Sequence, residues 1–166
     1  MFIMLRDLNR LRRQVALGRP TRGSLAIRHV DAGSCNACES ELNSAANPFY
    51  DLQRFGLSIV ASPRHADVLL ITGPVTRRMR EALLRAYEAM PEPRLVAALG
   101  DCALGCNLLG LASEQFGGVE SVLRVDIRIP GCPPAPDLIA AELQKALARP
   151  TDRRSGGAGA GEIAEP

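Results

Sequence analysis

Four cysteines of this sequence are spaced so that together they could bind one metal centre. Cys35 and Cys38 form a CxxC pair directly after a short apolar run. Cys102 and Cys132 are single residues, and each follows an apolar segment of the kind that forms a β-strand. Thiolates are soft ligands, which suit zinc and the irons of iron-sulfur clusters. The sequence therefore predicts a metal centre built from Cys35, Cys38, Cys102 and Cys132.

The spacing of these cysteines favours a [4Fe-4S] cluster over zinc. Each iron of such a cluster takes one sulfur from the protein, so four thiolates are sufficient. Structural zinc sites usually pair their ligands locally, as CxxC with CxxC, whereas the third and fourth cysteines here are single and far apart. A thioredoxin-type redox pair would leave Cys102 and Cys132 without a role. Buried structural cysteines would explain any one of the four but not their shared position after strands.

Alternating strands and helices must position these cysteines. Five apolar segments have the composition of strands, and they lie at residues 25–30, 57–60, 68–72, 95–99 and 125–129. Three helices are predicted around them, at residues 40–55, 77–90 and from 133–136 to 150. The first is expected to be interrupted near Pro48, and the second to have Thr76 as its N-cap. Residues 107–119 contain three glycines, which argue against one uninterrupted helix.

This alternation predicts a single α/β domain with a doubly wound, mostly parallel, flavodoxin-like sheet. The continuous apolar run at residues 68–72 fits a strand that is covered on both faces. In such sheets ligands bind beyond the carboxyl ends of the strands, where Cys35, Cys102 and Cys132 fall. The predicted fold therefore brings the candidate ligands to one edge of the sheet.

Both ends of the chain lie outside the predicted iron-sulfur domain, which covers residues 24–150. Residues 1–23 place leucines and a valine at helical spacing with arginines between them, which predicts a basic amphipathic helix and a linker. We expect this helix to dock on a partner subunit, and contact with an anionic membrane surface is the second interpretation. The tail at residues 151–166 consists of Gly, Ala and charged residues, and is predicted to be disordered.

The composition excludes several classes of protein. With 46% hydrophobic and 23% charged residues, the chain of 166 residues has the mix of one globular domain with a core. A net charge of +2 and only 4% aromatic residues argue against nucleic acid as a partner. No apolar run approaches the roughly 20 residues that a membrane-spanning helix needs. Five cysteines, clustered at strand ends, are unlike a secreted disulfide framework, so we expect a reducing cytoplasm.

Four ordered motifs are SCNACESE at residues 34–41, SPRHAD at 62–67, TGPVT at 72–76 and PGCPP at 130–134. Together they resemble the small, electron-transferring subunit of membrane-bound group 4 [NiFe] hydrogenases of the formate hydrogenlyase type. The same superfamily includes the 20 kDa subunit of respiratory complex I that holds its terminal cluster. That subunit is expected to have adjacent cysteines where this chain separates Cys35 from Cys38, so the hydrogenase branch is the better match.

The resemblance makes Cys35, Cys38, Cys102 and Cys132 the ligands of one proximal [4Fe-4S] cluster. It implies an electron relay within an oxidoreductase complex, without bond chemistry in this chain. The implied partners are a nickel-iron large subunit, a ferredoxin-like iron-sulfur subunit and integral membrane subunits, at the cytoplasmic side of the cell membrane. Two alternatives remain, a complex I-like NADH or ferredoxin:quinone oxidoreductase subunit and a zinc-stabilised structural adaptor.

Two acidic residues after the CxxC motif are candidates for proton movement. Glu41 matches a family carboxylate near the subunit interface, and Glu39 is the less favoured of the two. Without the resemblance, both also fit acids that the dipole stabilises at the start of a helix. The sequence leaves these two interpretations open.

Other polar residues have weaker assignments. Arg64 and His65 lie in a loop that, in the resembled superfamily, approaches the cluster side, where they would affect the cluster potential or couple to protons. His29 lies inside a strand and is expected to be structural. Cys106 departs from the family, which usually has glycine there. We expect it to be a bystander, although its closeness to Cys102 in sequence also makes it an alternative ligand.

Overall fold

Five strands and three helices build the part of the chain that the computed structural model describes, which is residues 23–106 and 114–147. The strands are β1 (Leu25–Asp31), β2 (Leu57–Ile59), β3 (Val68–Thr72), β4 (Leu95–Leu99) and β5 (Ile127–Ile129). The helices are α1 (Ala37–Ala45), α2 (Arg77–Glu88) and α3 (Pro136–Leu147). Short 3-10 turns lie at Leu52–Phe55, Pro63–His65 and Val119–Ser121.

The strands form one sheet in the order β2-β1-β3-β4-β5, and every pair of neighbours is parallel. This is the flavodoxin-like order, in which the direction of strand addition reverses next to β1. Apolar residues of α1 and α3 pack on one face of the sheet, and those of α2 pack on the other. The predicted doubly wound α/β fold is confirmed.

Strand β3 lies at the centre of the sheet, and all five of its residues are buried. Its run of Val, Leu and Ile therefore faces a helix layer on each side, as its continuous apolar pattern predicts. Its last residue, Thr72, is a buried polar residue at the carboxyl edge. The centre of the sheet thus ends in a hydroxyl group beside the loops that carry the cysteines.

The predicted helix at residues 40–55 differs from the observed one. Helix α1 begins earlier, at Ala37, so the second cysteine of the CxxC motif lies in its first turn and not in a loop. It ends at Ala45. The side chain of Asn47 then accepts hydrogen bonds from the two backbone N–H groups that follow Pro48. Proline cannot continue the helical hydrogen bonds, and this Asn turn competes with the helix for the chain.

Thr76 occupies the N-cap position of α2, as predicted, but its side chain makes no capping hydrogen bond. Its backbone N–H donates instead to the carbonyl oxygen of Ala32, at 3.0 Å. Its methyl group lies so close to Gly33 that an added Cβ there would be 2.4 Å away. Thr76 therefore joins the start of α2 to the loop that follows β1.

Three parts of the sequence lie outside the described residues, at 1–22, 107–113 and 148–166. The predicted amphipathic helix, the tail and much of the glycine-containing segment fall in these ranges. None of the described helices is long and apolar enough to cross a membrane.

Candidate metal centre

Four cysteine side chains line one cavity at the carboxyl edge of the sheet. Cys35 lies in the loop after β1 and Cys38 in the first turn of α1, while Cys102 follows β4 and Cys132 follows β5. The cavity encloses about 280 Å³, part of which is open to solvent. The structure thus brings together the four cysteines that the sequence selects.

The four thiols share one electrostatic environment. Burial raises the pKa of Cys38 to about 12, and negative charge on Glu39 and Cys35 adds to this effect. Burial also raises the pKa of Cys102, with Cys132 as the next cause. Thiolates at these positions repel one another, so a bound cationic group is what would allow all of them to ionise together. This donor set fits a metal centre with thiolate ligands.

The thiols surround the cavity and do not meet at one point. Among residues 23–106 and 114–147, no three His, Cys, Asp or Glu side chains are placed to hold a single metal ion. A zinc site needs its ligand atoms within about 2.0–2.3 Å of one centre, whereas a [4Fe-4S] cluster spreads four thiolates over four irons.

Local hydrogen bonds shape the loop that carries Cys35. The side chain of Asp31 accepts from the backbone N–H groups of Gly33 and Ser34, at 2.8 and 2.7 Å. The hydroxyl of Ser34 in turn accepts from the N–H of Asn36, at 3.1 Å. Asn36 has a φ of 68°, a left-handed conformation that asparagine tolerates and that turns the chain into α1. Short-range interactions therefore set the path between the first two cysteines.

The loops after β4 and β5 are joined by reciprocal hydrogen bonds. The backbone N–H of Asp101 donates to the carbonyl of Gly131, at 2.9 Å, and the N–H of Gly131 donates to the Asp101 side chain, at 2.7 Å. Gly100 precedes them with a φ of +90°, and an added Cβ there would lie 2.5 Å from the sulfur of Cys38. These contacts hold Cys102 and Cys132 on adjacent loops, and the absence of a side chain at Gly100 leaves space for the sulfur of Cys38.

Sequence reasoning gave Gly100 and Asp101 no role of their own. The sequence feature that could have indicated a role is the Gly-Asp pair at the end of an apolar strand, because both residue types are typical of tight turns. The contact of Gly100 with Cys38 could not be read from the pattern, since these residues are far apart in the chain.

A second feature that the sequence did not reveal is a polar network beside Cys38. The Nε2 atom of His29 lies 2.9 Å from the hydroxyl oxygen of Thr72. That hydroxyl donates a hydrogen bond to the carboxylate of Glu39, which follows Cys38 in α1. His29, expected to be structural, therefore contacts the helix that carries a candidate ligand.

The stability of the chain should fall in mild acid because of His29. Burial lowers the pKa of His29 below its ordinary value of 6.5, although Glu39 and Asp31 oppose this effect. Below about pH 6.5 the unfolded chain then binds more protons than the folded chain, so the free energy of unfolding decreases as the pH falls. Urea unfolding of the chain without a cluster, at about pH 7.5 and about pH 5.5, measures this decrease.

The substitution H29Q should make this pH dependence smaller, whereas H65Q, at an exposed position, should leave it unchanged. An equal pH dependence in H29Q and the unsubstituted chain would contradict the assignment to His29.

The structure does not bring the other candidate residues to the cavity. Glu41 is half-buried in α1, and Arg64 and His65 are exposed in a 3-10 turn. Cys106 is exposed, and its backbone N–H donates to the carbonyl of Asp101. None of these four side chains lines the cavity.

Comparisons with known proteins agree with the fold. The family profile described as "NADH ubiquinone oxidoreductase, 20 Kd subunit" matches residues 35–146. The chain is 43% identical over 111 residues to "Probable membrane-bound hydrogenase subunit mbhJ" of Pyrococcus furiosus, covering 67% of this chain and 66% of that protein. It is 40% identical over 123 residues to "Formate hydrogenlyase subunit 7" of Escherichia coli, covering 74% of this chain and 48% of that protein.

Among solved structures, the fold is similar to a chain of the membrane-bound sulfane sulfur reductase, an archaeal respiratory membrane complex. The TM-score is 0.64 at 30% identity, and the match covers 76% of this chain and 71% of that chain. The chain spans between about half and two thirds of the two curated relatives named above. Because the family profile matches more than half of its residues, this chain belongs to the 20 kDa subunit family of NADH ubiquinone oxidoreductase, as do its membrane-bound hydrogenase relatives.

Proposed function

We propose that this chain is the electron-transfer small subunit of a membrane-bound [NiFe] hydrogenase complex. In this proposal Cys35, Cys38, Cys102 and Cys132 hold one proximal [4Fe-4S] cluster. The observation that carries it is that four thiols surround a single cavity, three on loops that follow strands of one sheet and the fourth in the first turn of α1. When bound, such a cluster supplies one-electron transfer. The sequence relatives, which are subunits of hydrogenase and formate hydrogenlyase, support an oxidoreductase complex.

The residues of this chain would bind the cluster and control its surroundings. Cys38 and Cys102 are half-buried, whereas Cys35 and Cys132 are exposed. One side of the site is therefore sheltered by the sheet and the other faces outward. A large subunit docked on the outward side would exclude water from the thiols and bring its own redox centre near. The exposure of Cys35 and Cys132 supports the proposal that a partner subunit covers the cavity.

The remaining partners and the location belong to the same proposal. We infer a ferredoxin-like iron-sulfur subunit and integral membrane subunits, with this chain peripheral at the cytoplasmic side of the membrane. The names of the relatives, a membrane-bound hydrogenase subunit and a formate hydrogenlyase subunit, support a membrane complex. The proposed iron-sulfur domain covers residues 24–150.

Glu41 is the proposed proton-transfer residue of this chain. It lies in α1, one turn beyond Cys38, and it is half-buried. Because it does not line the cavity, its carboxylate would exchange protons with a partner surface and not with the thiols.

A second candidate function is a cluster subunit of a complex that does not act on hydrogen. The family description names a ubiquinone oxidoreductase, and the similar solved structure is a sulfane sulfur reductase. In that case the residues of this chain have the same roles, and the large subunit sets the reaction. Nickel in the large subunit distinguishes the two candidates.

Metal analysis of the anaerobically purified complex tests the proposal. We expect about four irons and four acid-labile sulfides for this chain, and an EPR signal of a reduced cluster. Nickel in the large subunit would select the hydrogenase, and its absence the second candidate. Zinc in place of iron, with no reduced-cluster signal, would overturn both and make this chain a zinc-stabilised adaptor.

A further inference from the structure

A carboxylate is buried next to one of the candidate ligands. Glu39 follows Cys38 in the first turn of α1, and its side chain is only 16% exposed. One of its oxygens accepts from Thr72, while the other is buried without a hydrogen-bond partner among the described residues. Burying an incompletely paired carboxylate has a free-energy cost. A favourable interaction that this carboxylate makes in the protein must offset this free-energy cost.

The hydrogen bonds of this carboxylate run from the helix into the sheet. A carboxylate only accepts, so the single hydroxyl hydrogen of Thr72 is donated to Glu39. The oxygen of Thr72 is then free to accept from His29, which must carry its hydrogen on Nε2. His29 belongs to β1 and Thr72 ends β3. The network therefore connects the first turn of α1 to two neighbouring strands.

The first turn of α1 needs such a connection. The helix has nine residues, and isolated helices of that length are marginal in water. Its N-cap residue, Asn36, makes no side-chain capping hydrogen bond. The buried apolar residues of the helix, Leu42 and Ala45, lie further along, in its second and third turns. In the first turn Cys38 also packs against the core, and the bond from Thr72 to Glu39 adds the polar contact that holds this end of the helix to the sheet.

The direction of Cys38 depends on this same turn. Successive residues of a helix point about 100° apart, so fixing the side chain of Glu39 also fixes where Cys38 points. The sulfur of Cys38 lies against Gly100, with no room for even a methyl group between them. A small rotation of the turn would therefore move the thiol out of its place at the cavity.

We propose that Glu39 is a positioning residue, which, through its hydrogen bond from Thr72, holds Cys38 at the candidate metal centre. This inference rests on the proposed function for its consequence, but the position of the thiol can be measured without a cluster. It gives Glu39 a structural role toward the site, separate from the proton movement proposed for Glu41.

Alkylation of Cys38 in the full-length chain without a cluster tests the proposal directly. Iodoacetamide is added, and modification of each cysteine is followed by mass spectrometry of peptides. E39A should raise the alkylation rate of Cys38 about tenfold, because a hydrogen bond to a charged group is lost and the first turn opens more often. Cys102, on a different loop, should react at an unchanged rate. T72V removes the donor to Glu39, together with the acceptor of His29, and keeps the negative charge beside Cys38. It should also raise the rate, by less than E39A does.

Rescue and control variants separate positioning from general destabilisation. E39Q keeps an oxygen that accepts from Thr72, but it removes the same negative charge beside Cys38 as E39A does, so its Cys38 should react several-fold more slowly than that of E39A. E41A, in the same helix, should leave the rate unchanged. Equal increases in E39A and E39Q, or no increase in E39A and T72V, would overturn the proposal. If E39A does not fold, T72V against the unsubstituted chain provides the comparison, because both keep the charge of Glu39 beside Cys38.

The anaerobic complex gives a second readout. E39A should show altered g-values and a lower iron content, whereas E39Q should resemble the unsubstituted complex in both. An unchanged EPR spectrum and iron content in E39A would overturn the proposal. If the unsubstituted complex holds zinc and no cluster, the proposed function fails, while the alkylation rates still decide whether Glu39 positions Cys38.

Discussion

The substitution G100A should displace the thiol of Cys38 and remove the cluster. The new Cβ would lie 2.5 Å from the Cys38 sulfur, which is closer than non-bonded atoms approach. Gly100 also has a φ of +90°, so alanine there adds backbone strain of about 1–3 kcal/mol. The sulfur can avoid the new methyl group only by rotating about χ1 of Cys38, which moves it away from its place at the cavity. We expect iron to fall from about four atoms per chain to fewer than about one.

Gly117 provides a matched control for this experiment. Its φ of +89° is nearly the same as that of Gly100, but an added Cβ there would meet no atom of residues 23–106 and 114–147 within 4 Å. G117A should therefore carry the same kind of backbone strain and keep its iron. Iron and acid-labile sulfide are measured for both variants, with urea unfolding to compare their stability. A full complement of iron in G100A, or equal losses in both variants, would contradict the steric explanation.

Removing Cys102 should abolish the cluster, while removing Cys106 should not. Both residues lie in the segment after β4, four positions apart, but only Cys102 lines the cavity. Alanine at residue 102 leaves one iron without its protein ligand, and we expect a complete loss of the four-iron EPR signal. C106A should retain the signal, because the exposed Cys106 lies outside the cavity lining.

Anaerobic EPR with metal analysis of C102A and C106A measures the difference. The pair also decides the question that the sequence left open, which is whether Cys102 or Cys106 is the ligand. A signal lost in C106A and retained in C102A would exchange the two assignments. Iron retained in both variants would show that either thiol can bind, and would contradict the assignment of a single ligand.

The sheet and the position of the cysteines could be predicted because their signals are local. Each apolar run followed by a cysteine is visible within a few residues of sequence. A parallel sheet then places these cysteines near one another, since it brings the carboxyl ends of its strands to one edge. No knowledge of which loops touch was needed to expect Cys35, Cys102 and Cys132 near one another.

The contacts that position the thiols could not be predicted, because they join distant parts of the chain. The hydrogen bond from Thr72 to Glu39 joins residues 33 positions apart, and the contact of His29 with Thr72 spans 43. The sequence around a polar residue at the end of an apolar strand does not indicate which distant residue it will form a hydrogen bond with. The start of α1 was also missed, because residues 37–39 have no apolar periodicity and the expected loop continued through Cys38.

The four proposed ligands also bear on how such a subunit is made. Cys35 follows the first strand of the domain, and Cys132 follows the last. A four-thiolate site therefore exists only after residue 132 has been added, when all five strands of the described sheet have been made. A cluster bound there would link the first and last loops of the domain, as a cross-link does, and would resist their separation. Binding of the cluster would then complete the site and stabilise the domain in the same step.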